Sequence, residues 1–175
     1  VDPQVGVIAD DAAVESLGVR VGERWGRLDA LVNNAGIAMS GPFEELTADE
    51  LRQSIEVNLV GPMMLTRACL PALREARGVV VQVASVSGRT ADALMGAYNA
   101  SKFAVVGASE ALALEVAPHG VRVVIVTPGP FRTPISRNAF QAAAKGSTGM
   151  YAEGWAGVDA WLAWHATGSP DPEEC

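Results

Sequence analysis

Apolar positions along the chain fall into two spacings. Val14, Leu17, Val21 and Trp25 recur at helical intervals behind Asp10 and Asp11, which can cap a helix, and Gly26 is placed to end it. Leu28 to Val32 is a short apolar run that opens into Asn33-Asn34-Ala35-Gly36, the pattern of a buried strand entering a turn. Thr47 with Glu50 three residues on forms a capping box, and the helix behind it runs toward Asn58. Gly61-Pro62 predicts a break there, followed by a further helix through Leu65, Cys69 and Leu73. Val79 to Val83 is nearly all β-branched, as in a strand of a parallel sheet. A long helix is predicted over about Gly96 to Val116, then a strand over Val121 to Val126, then a rigid Thr127-Pro128-Gly129-Pro130 loop. Pro134 to Lys145 and Tyr151 to His165 carry helical patterns, and Val5 to Ile8 suggests one more short strand.

Alternating strands and helices predict an α/β fold with a parallel sheet and right-handed crossovers. The length of 175 residues suits a single domain, 1–175, with about 134–175 forming helices over a substrate crevice and a tail. The net charge of −7 gives no basic patch for nucleic acid. No apolar stretch is long enough to span a bilayer, and no signal peptide is visible, so a cytoplasmic setting is the expectation. Cys69 falls in an apolar helical run and Cys175 is the last residue, a spacing that suits neither a disulfide framework nor a metal site.

Three strand ends carry small polar turns, Asn33 to Gly36, Ser85 to Gly88 and Thr127 to Pro130. In an open parallel sheet such ends gather at one crevice. Tyr98 and Lys102 lie four residues apart in Y-N-A-S-K and so share a helix face, in a chain with only two Tyr and two Lys. An ammonium beside a phenol lowers its pKa and makes it a proton carrier near neutral pH. Ser85, thirteen residues upstream of Tyr98, could hold the oxygen that gains or loses the proton, with Ser87 as the competing hydroxyl. Asn99-Ala100-Ser101 also matches a glycosylation sequon, which a helix lining a crevice makes coincidental.

These motifs together resemble the short-chain dehydrogenase/reductase family over roughly Asp10 to Thr133. The matches are N-N-A-G at Asn33 to Gly36, N-x-x-G at Asn58 to Gly61, Ser85, Y-x-x-x-K at Tyr98 to Lys102, and Pro128-Gly129 with Thr133. The resemblance implies a partial Rossmann-like three-layer αβα fold whose first strands and glycine-rich turn are missing. It implies catalysis by Asn58, Ser85, Tyr98 and Lys102, with Tyr98 as proton donor and acceptor and a water held by the Asn58 main chain. It implies NAD or NADP as cofactor, held by Asn33, Ala35, Gly36, Tyr98, Lys102, Pro128, Gly129 and Thr133. The implied partners are a small alcohol or ketone and a second copy of the chain, in a homodimer or homotetramer built on the helices at about Leu59 to Glu75 and Gly96 to Val116. Ile37, Ala38, Met39, Leu94, Met95, Pro130 and Phe131 are expected to border the crevice and favour an apolar substrate.

One departure stands out. The family opens with T-G-x-x-x-G-x-G leading into a helix whose N-terminus holds the pyrophosphate, and the 175 residues contain no such turn. The start at Val1 and the end at S-P-D-P-E-E-C suggest a piece of a longer protein. The alternative is a truncated, inactive chain that serves as a dimerising or regulatory module. A Rossmann-like methyltransferase would not need Ser85, Tyr98 and Lys102 in register. Calorimetric titration of the 175-residue chain with NAD and NADP is expected to give a Kd of about 1 mM or weaker. Micromolar binding would reveal another means of holding a pyrophosphate.

Overall fold

The computed structural model describes residues 7–131, 135, 139–168 and 170. Helix α1, Asp11–Trp25, begins where the Asp10 side chain accepts the Ala13 N–H and ends at Gly26 in the left-handed region. Strand β1, Ala30–Asn33, leads to a two-residue strand β2, Met39–Ser40. Helix α2, Ala48–Ile55, carries the complete Thr47–Glu50 capping box. It runs without a break through a π-helical turn, Glu56–Val60, into α3, Gly61–Ala76. Strand β3, Val79–Val83, helix α4, Gly96–Val116, and strand β4, Arg122–Val126, follow. A second short strand, β5, Phe140–Gln141, and helix α5, Ala152–Thr167, complete the described chain.

The main sheet is parallel in the order β1-β3-β4, with Leu31, Val80 and Val123 side by side and Val32, Val81 and Val124 in the next row. The first row faces the core, where Cys69, Leu73, Val80, Val116 and Val121 are buried with Leu31, Leu65, Leu112 and Val123 packed around them. Helix α3 packs on β1 and α4 on β4, while α1 lies against α3. The opposite face is left partly open, with Val32, Val124 and Val126 all substantially exposed. The expected α/β fold with a parallel sheet is present, and among the described residues its helices cover the face that carries Val80.

Two expectations change. The Gly61-Pro62 pair does not interrupt the helix. Gly61 closes the π turn by donating to the Glu56 carbonyl, and its missing side chain admits the Ile8 carbonyl, which would lie 2.2 Å from an added Cβ. Pro62 falls in the first turn of α3, where a missing N–H costs little. The predicted helix over Pro134 to Lys145 is not found in its described part. Phe140 donates to the Ala38 carbonyl and Ala142 to the Ser40 carbonyl, so β5 pairs with β2 instead. Tertiary partners outweigh a helical propensity worth only tenths of a kcal/mol per residue. The predicted strand at Val5 to Ile8 lies largely outside the described residues, and Ile8 is in a turn.

The segment around β5 docks through carboxylates. Glu45 is almost fully buried and accepts hydrogen bonds from the Gly146 N–H at 2.9 Å, the Thr148 hydroxyl at 2.9 Å and the Trp155 indole N–H at 2.8 Å. Glu50 accepts the Ala143 N–H, and Tyr151 donates to Glu44. Beneath them Ala142, Trp155 and Val158 form a small core with Leu46, Leu94 and Leu162. Burial pushes the Glu45 carboxyl up, but the donors from Trp155, Gly146 and Thr148 outweigh it and hold the group below its ordinary 4.5. A depressed carboxyl stabilises the docked segment above its unfolded-state pKa and loses that effect as pH falls through the folded-state value. Protection of the Gly146 and Thr148 amides against hydrogen exchange should therefore fall on acidification below about 4.5. In Glu45→Gln the protection should already be reduced at neutral pH. Protection that is unchanged in the acid range and in the variant would contradict the docking role.

Candidate active site

Ser85, Asn58, Tyr98 and Lys102 come together at the carboxyl end of β3. All four are buried. Ser85 leaves the strand with extended backbone and caps the short 3-10 turn Val86–Gly88, its hydroxyl accepting the Ser87 N–H at 3.1 Å. Its hydroxyl also lies near enough to the Tyr98 phenol to pull the phenol pKa down. Ser87 contributes its main chain to this turn, so of the two candidate hydroxyls Ser85 is the one at the phenol.

Lys102 reaches back from α4 and donates to the Val83 carbonyl at 3.1 Å, with its Nζ 5.8 Å from the centre of the Tyr98 ring. Burial lowers its pKa from 10.5 to about 8. The phenol behaves differently from the expectation that Lys102 would lower its pKa. Burial pushes Tyr98 above its ordinary 10, and the Ser85 hydroxyl pulls it only partly back. The reason is desolvation, which disfavours the charged form of both groups, and the ammonium is turned toward a carbonyl instead of the phenol oxygen.

Asn58 sits in the π turn. Its side-chain oxygen accepts the Ile37 N–H at 2.8 Å, and its amide donates to the Ile37 carbonyl at 2.9 Å and the Ser101 hydroxyl at 2.8 Å. Ser101 in turn donates to the Tyr98 carbonyl at 2.7 Å. Gly36 lies beside this group, for an added Cβ would be 3.2 Å from Asn58 Oδ1 and 3.6 Å from Lys102 Nζ. The glycine thus leaves a cradle directly in front of the lysine.

The remaining predicted residues are placed unevenly. Asn33 turns inward, its amide donating to Thr66 Oγ1 at 2.7 Å and to the Pro62 carbonyl at 3.3 Å. Ala35 lies between it and Gly36 in the loop after β1. The Pro128 carbonyl accepts the Val86 N–H at 3.0 Å, which ties the loop of Pro128 and Gly129 to the turn after Ser85. Thr133 lies outside the described residues. Ala38 and Met39 are buried, 5% and 2% exposed. Two buried polar residues of α4, Asn99 and Ser101, escaped the sequence reading except as a sequon, and their burial rules out glycosylation there. The signal was available, since polar side chains next to Tyr98 interrupt a mostly apolar helix. A separate cavity of about 290 Å³ between α1 and α3, with Asp11, Glu15 and Arg67 among its lining residues, shares none of these residues. Among the described residues no cluster of His, Cys, Asp or Glu could hold a metal, and no helix is long and apolar enough to cross a membrane.

The comparisons with known proteins agree in kind. Residues 2–144 match the family model for short chain dehydrogenase. A 3-ketodihydrosphingosine reductase of Bacteroides thetaiotaomicron is 40% identical over 129 residues, 73% of this chain and 48% of the relative. The chain thus spans about half the length of that relative. The crystal structure of a short-chain dehydrogenase from Streptomyces avermitilis superposes with a TM-score of 0.83 at 38% identity, over 98% of this chain and 62% of that one. A gluconate 5-dehydrogenase from Burkholderia cenocepacia, in complex with NADP and tartrate, superposes with a TM-score of 0.72 at 28% identity, over 76% of this chain and 52% of that one.

Replacing the Asn58 side chain would strand three partners, the buried Ser101 hydroxyl and the half-buried Ile37 N–H and carbonyl. At about 1–3 kcal/mol for an unsatisfied buried group, partly relieved by entering water, Asn58→Ala should cost about 3 kcal/mol. Urea unfolding of the variant against the parent chain measures it, and a loss below about 0.5 kcal/mol would mean that the loop after β1 is held by other contacts.

Proposed function

The chain belongs to the short-chain dehydrogenase family, and from that membership we propose that it carries the catalytic residues of an NAD- or NADP-dependent oxidoreductase that interconverts an alcohol and a carbonyl. The observation that carries the proposal is the joint burial of Ser85, Tyr98 and Lys102, with the serine hydroxyl at the phenol and the lysine behind it. A structural helix face would leave a tyrosine and a lysine in solvent. Ser85 orients the substrate oxygen. Tyr98 gives its proton to that oxygen when a carbonyl is reduced and takes one back when an alcohol is oxidised. With its pKa pushed up, the phenol stays protonated at neutral pH, which suits it as the acid in reduction.

The cradle in front of Gly36 fits the nicotinamide-ribose end of the cofactor. There Lys102, which spends one N–H on Val83, has two left to hold ribose hydroxyls. Hydride donation and acceptance are the chemistry that a bound nicotinamide supplies. The loop of Pro128, Gly129 and Thr133 would hold the carboxamide, and Ala35 would lie toward the adenosine ribose. Asn33 supports that loop from beneath, since its side chain is spent on Thr66. The Asn58 main chain, in a turn where the ordinary helical bonding is displaced, would hold a water that links Lys102 to solvent. Segment 134–175 would cover the substrate, with Leu94 and Met95 on its near side. An apolar alcohol or ketone is the substrate class that this lining favours. Assembly as a homodimer or homotetramer through α3 and α4 is supported by the exposed Phe103 and Leu114 on α4.

The test is kinetic and uses the whole product of the gene that encodes this chain. Tyr98→Phe should lower kcat at least a hundredfold while cofactor affinity changes little, the lower limit of what a positioned acid contributes (about 10²–10⁴-fold). Lys102→Ala should lower kcat and weaken cofactor binding together. Small and equal effects of both substitutions would sink the assignment.

A further inference from the structure

Tyr98 is followed by a polar side chain that the surrounding helix gives no reason to bury. Asn99 is 5% exposed, and all of its amide is used. Its Nδ2 donates to the Ser87 carbonyl at 3.0 Å and to the Thr90 carbonyl at 3.0 Å, and its Oδ1 accepts the Asp92 N–H at 3.3 Å. Every partner lies in the loop that carries Ser85 out of β3. One residue of that loop, Ser87, therefore has its carbonyl held by Asn99 and its N–H held by the Ser85 hydroxyl. The same loop touches α4 a second time at Gly88, where an added Cβ would stand 2.8 Å from the Lys102 carbonyl oxygen. Asn99 and Lys102, three residues apart, thus fasten the loop along one side of the helix.

We propose that Asn99 is a positioning residue for the reaction: it acts through Ser87 to set the Ser85 hydroxyl against the Tyr98 phenol. The proposal rests on the alcohol–carbonyl reading above and assigns its Y-N-A-S-K motif a third working side chain. Near Ser85 the loop also makes short-range turns, Gly88 N–H to the Ser85 carbonyl and Thr90 N–H to the Val86 carbonyl, and the Val86 N–H bonds the Pro128 carbonyl. Those bonds shape the loop and tie it to the strand ends. Two sets of side-chain hydrogen bonds join it to the helix of the tyrosine: the exposed Arg89–Glu110 pair at 3.1 Å, and the buried bonds of Asn99, which alone reach Ser87. A hydroxyl displaced by even 1 Å loses its hold on a substrate oxygen, which lowers the rate of the chemical step more than substrate binding.

Two measurements test this. The first follows amide hydrogen exchange at Ser87 in the 175-residue chain, because that N–H bonds Ser85 and not Asn99. Asn99→Ala should speed its exchange about tenfold, the equivalent of one lost hydrogen bond. The same substitution made in Ser85→Ala should add little. Asn99→Asp keeps the size and the acceptor but loses both donors, and should behave like Asn99→Ala if the alanine variant folds poorly. The second measures kcat and KM in the whole gene product, with 3-ketodihydrosphingosine and NADPH as probe, where Asn99→Ala should lower kcat about tenfold and leave KM within twofold. Unchanged Ser87 exchange in both variants, or equal speeding with and without Ser85, overturns the positioning role. If Tyr98→Phe abolishes turnover while Asn99→Ala leaves kcat intact, the positioning role alone falls. If Tyr98→Phe retains turnover, the alcohol–carbonyl reading falls, and the role of Asn99 in it falls too.

Discussion

One buried amide holds the reactive end of this molecule together. Asn58 bonds both polar groups of the Ile37 backbone and the Ser101 hydroxyl, and so joins the loop after β1 to the helix that carries Tyr98 and Lys102. The π turn at Glu56–Val60 is what aims it there, since one extra residue in the helical turn rotates the following side chains. Gly36 completes the junction, since a Cβ there would crowd Asn58 Oδ1 at 3.2 Å and touch Lys102 Nζ at 3.6 Å. The position of the lysine relative to β1 is thus set by hydrogen bonds with fixed directions. Apolar packing alone tolerates sliding, and directed bonds do not.

The same burial governs the electrostatics. Tyr98 is driven up and Lys102 down, so both groups are pushed toward their neutral forms. A solvated pair would do the opposite, each charge favouring the other. The chain without ligand therefore holds a protonated phenol beside a weakened ammonium, and charge separation at the site has to be stabilised by whatever the crevice receives. Ser85 is the one local group that already works against desolvation at the phenol.

Much of this was legible in the chain because its signals are local. The limits of α4, the caps of α1 and α2 and the valine run of β3 depend on neighbouring residues, and pattern alone located them. The gathering of Asn58, Ser85, Tyr98 and Lys102 followed from motif order. What was not legible depends on distant partners. Nothing near Phe140 announces that it will pair with Met39, so a helix-forming stretch of alanines misled. Gly61 looks like a break until the Ile8 backbone is seen against it. Asn33 looked like a crevice residue, but Thr66 of α3 claims its side chain. The lowered phenol pKa was argued from a lysine at helical spacing, and spacing carries no information about how deeply both groups are buried.

The Glu45 clamp has a bearing on the order in which the chain folds. Its bonds to Gly146, Thr148 and Trp155 join residues 101, 103 and 110 positions apart. Closing so long a loop costs entropy before any contact is gained, whereas β1, β3 and β4 are linked through helices close in sequence. The sheet and its covering helices can thus form first and present Glu45 as a ready acceptor. The segment that ends in α5 docks afterwards, and under mild denaturation it should be the first part to leave, since its small core is completed only by docking on Leu46 and Leu94. A region that arrives last and departs first can open while the buried group of Asn58, Ser85, Tyr98 and Lys102 stays assembled beneath it.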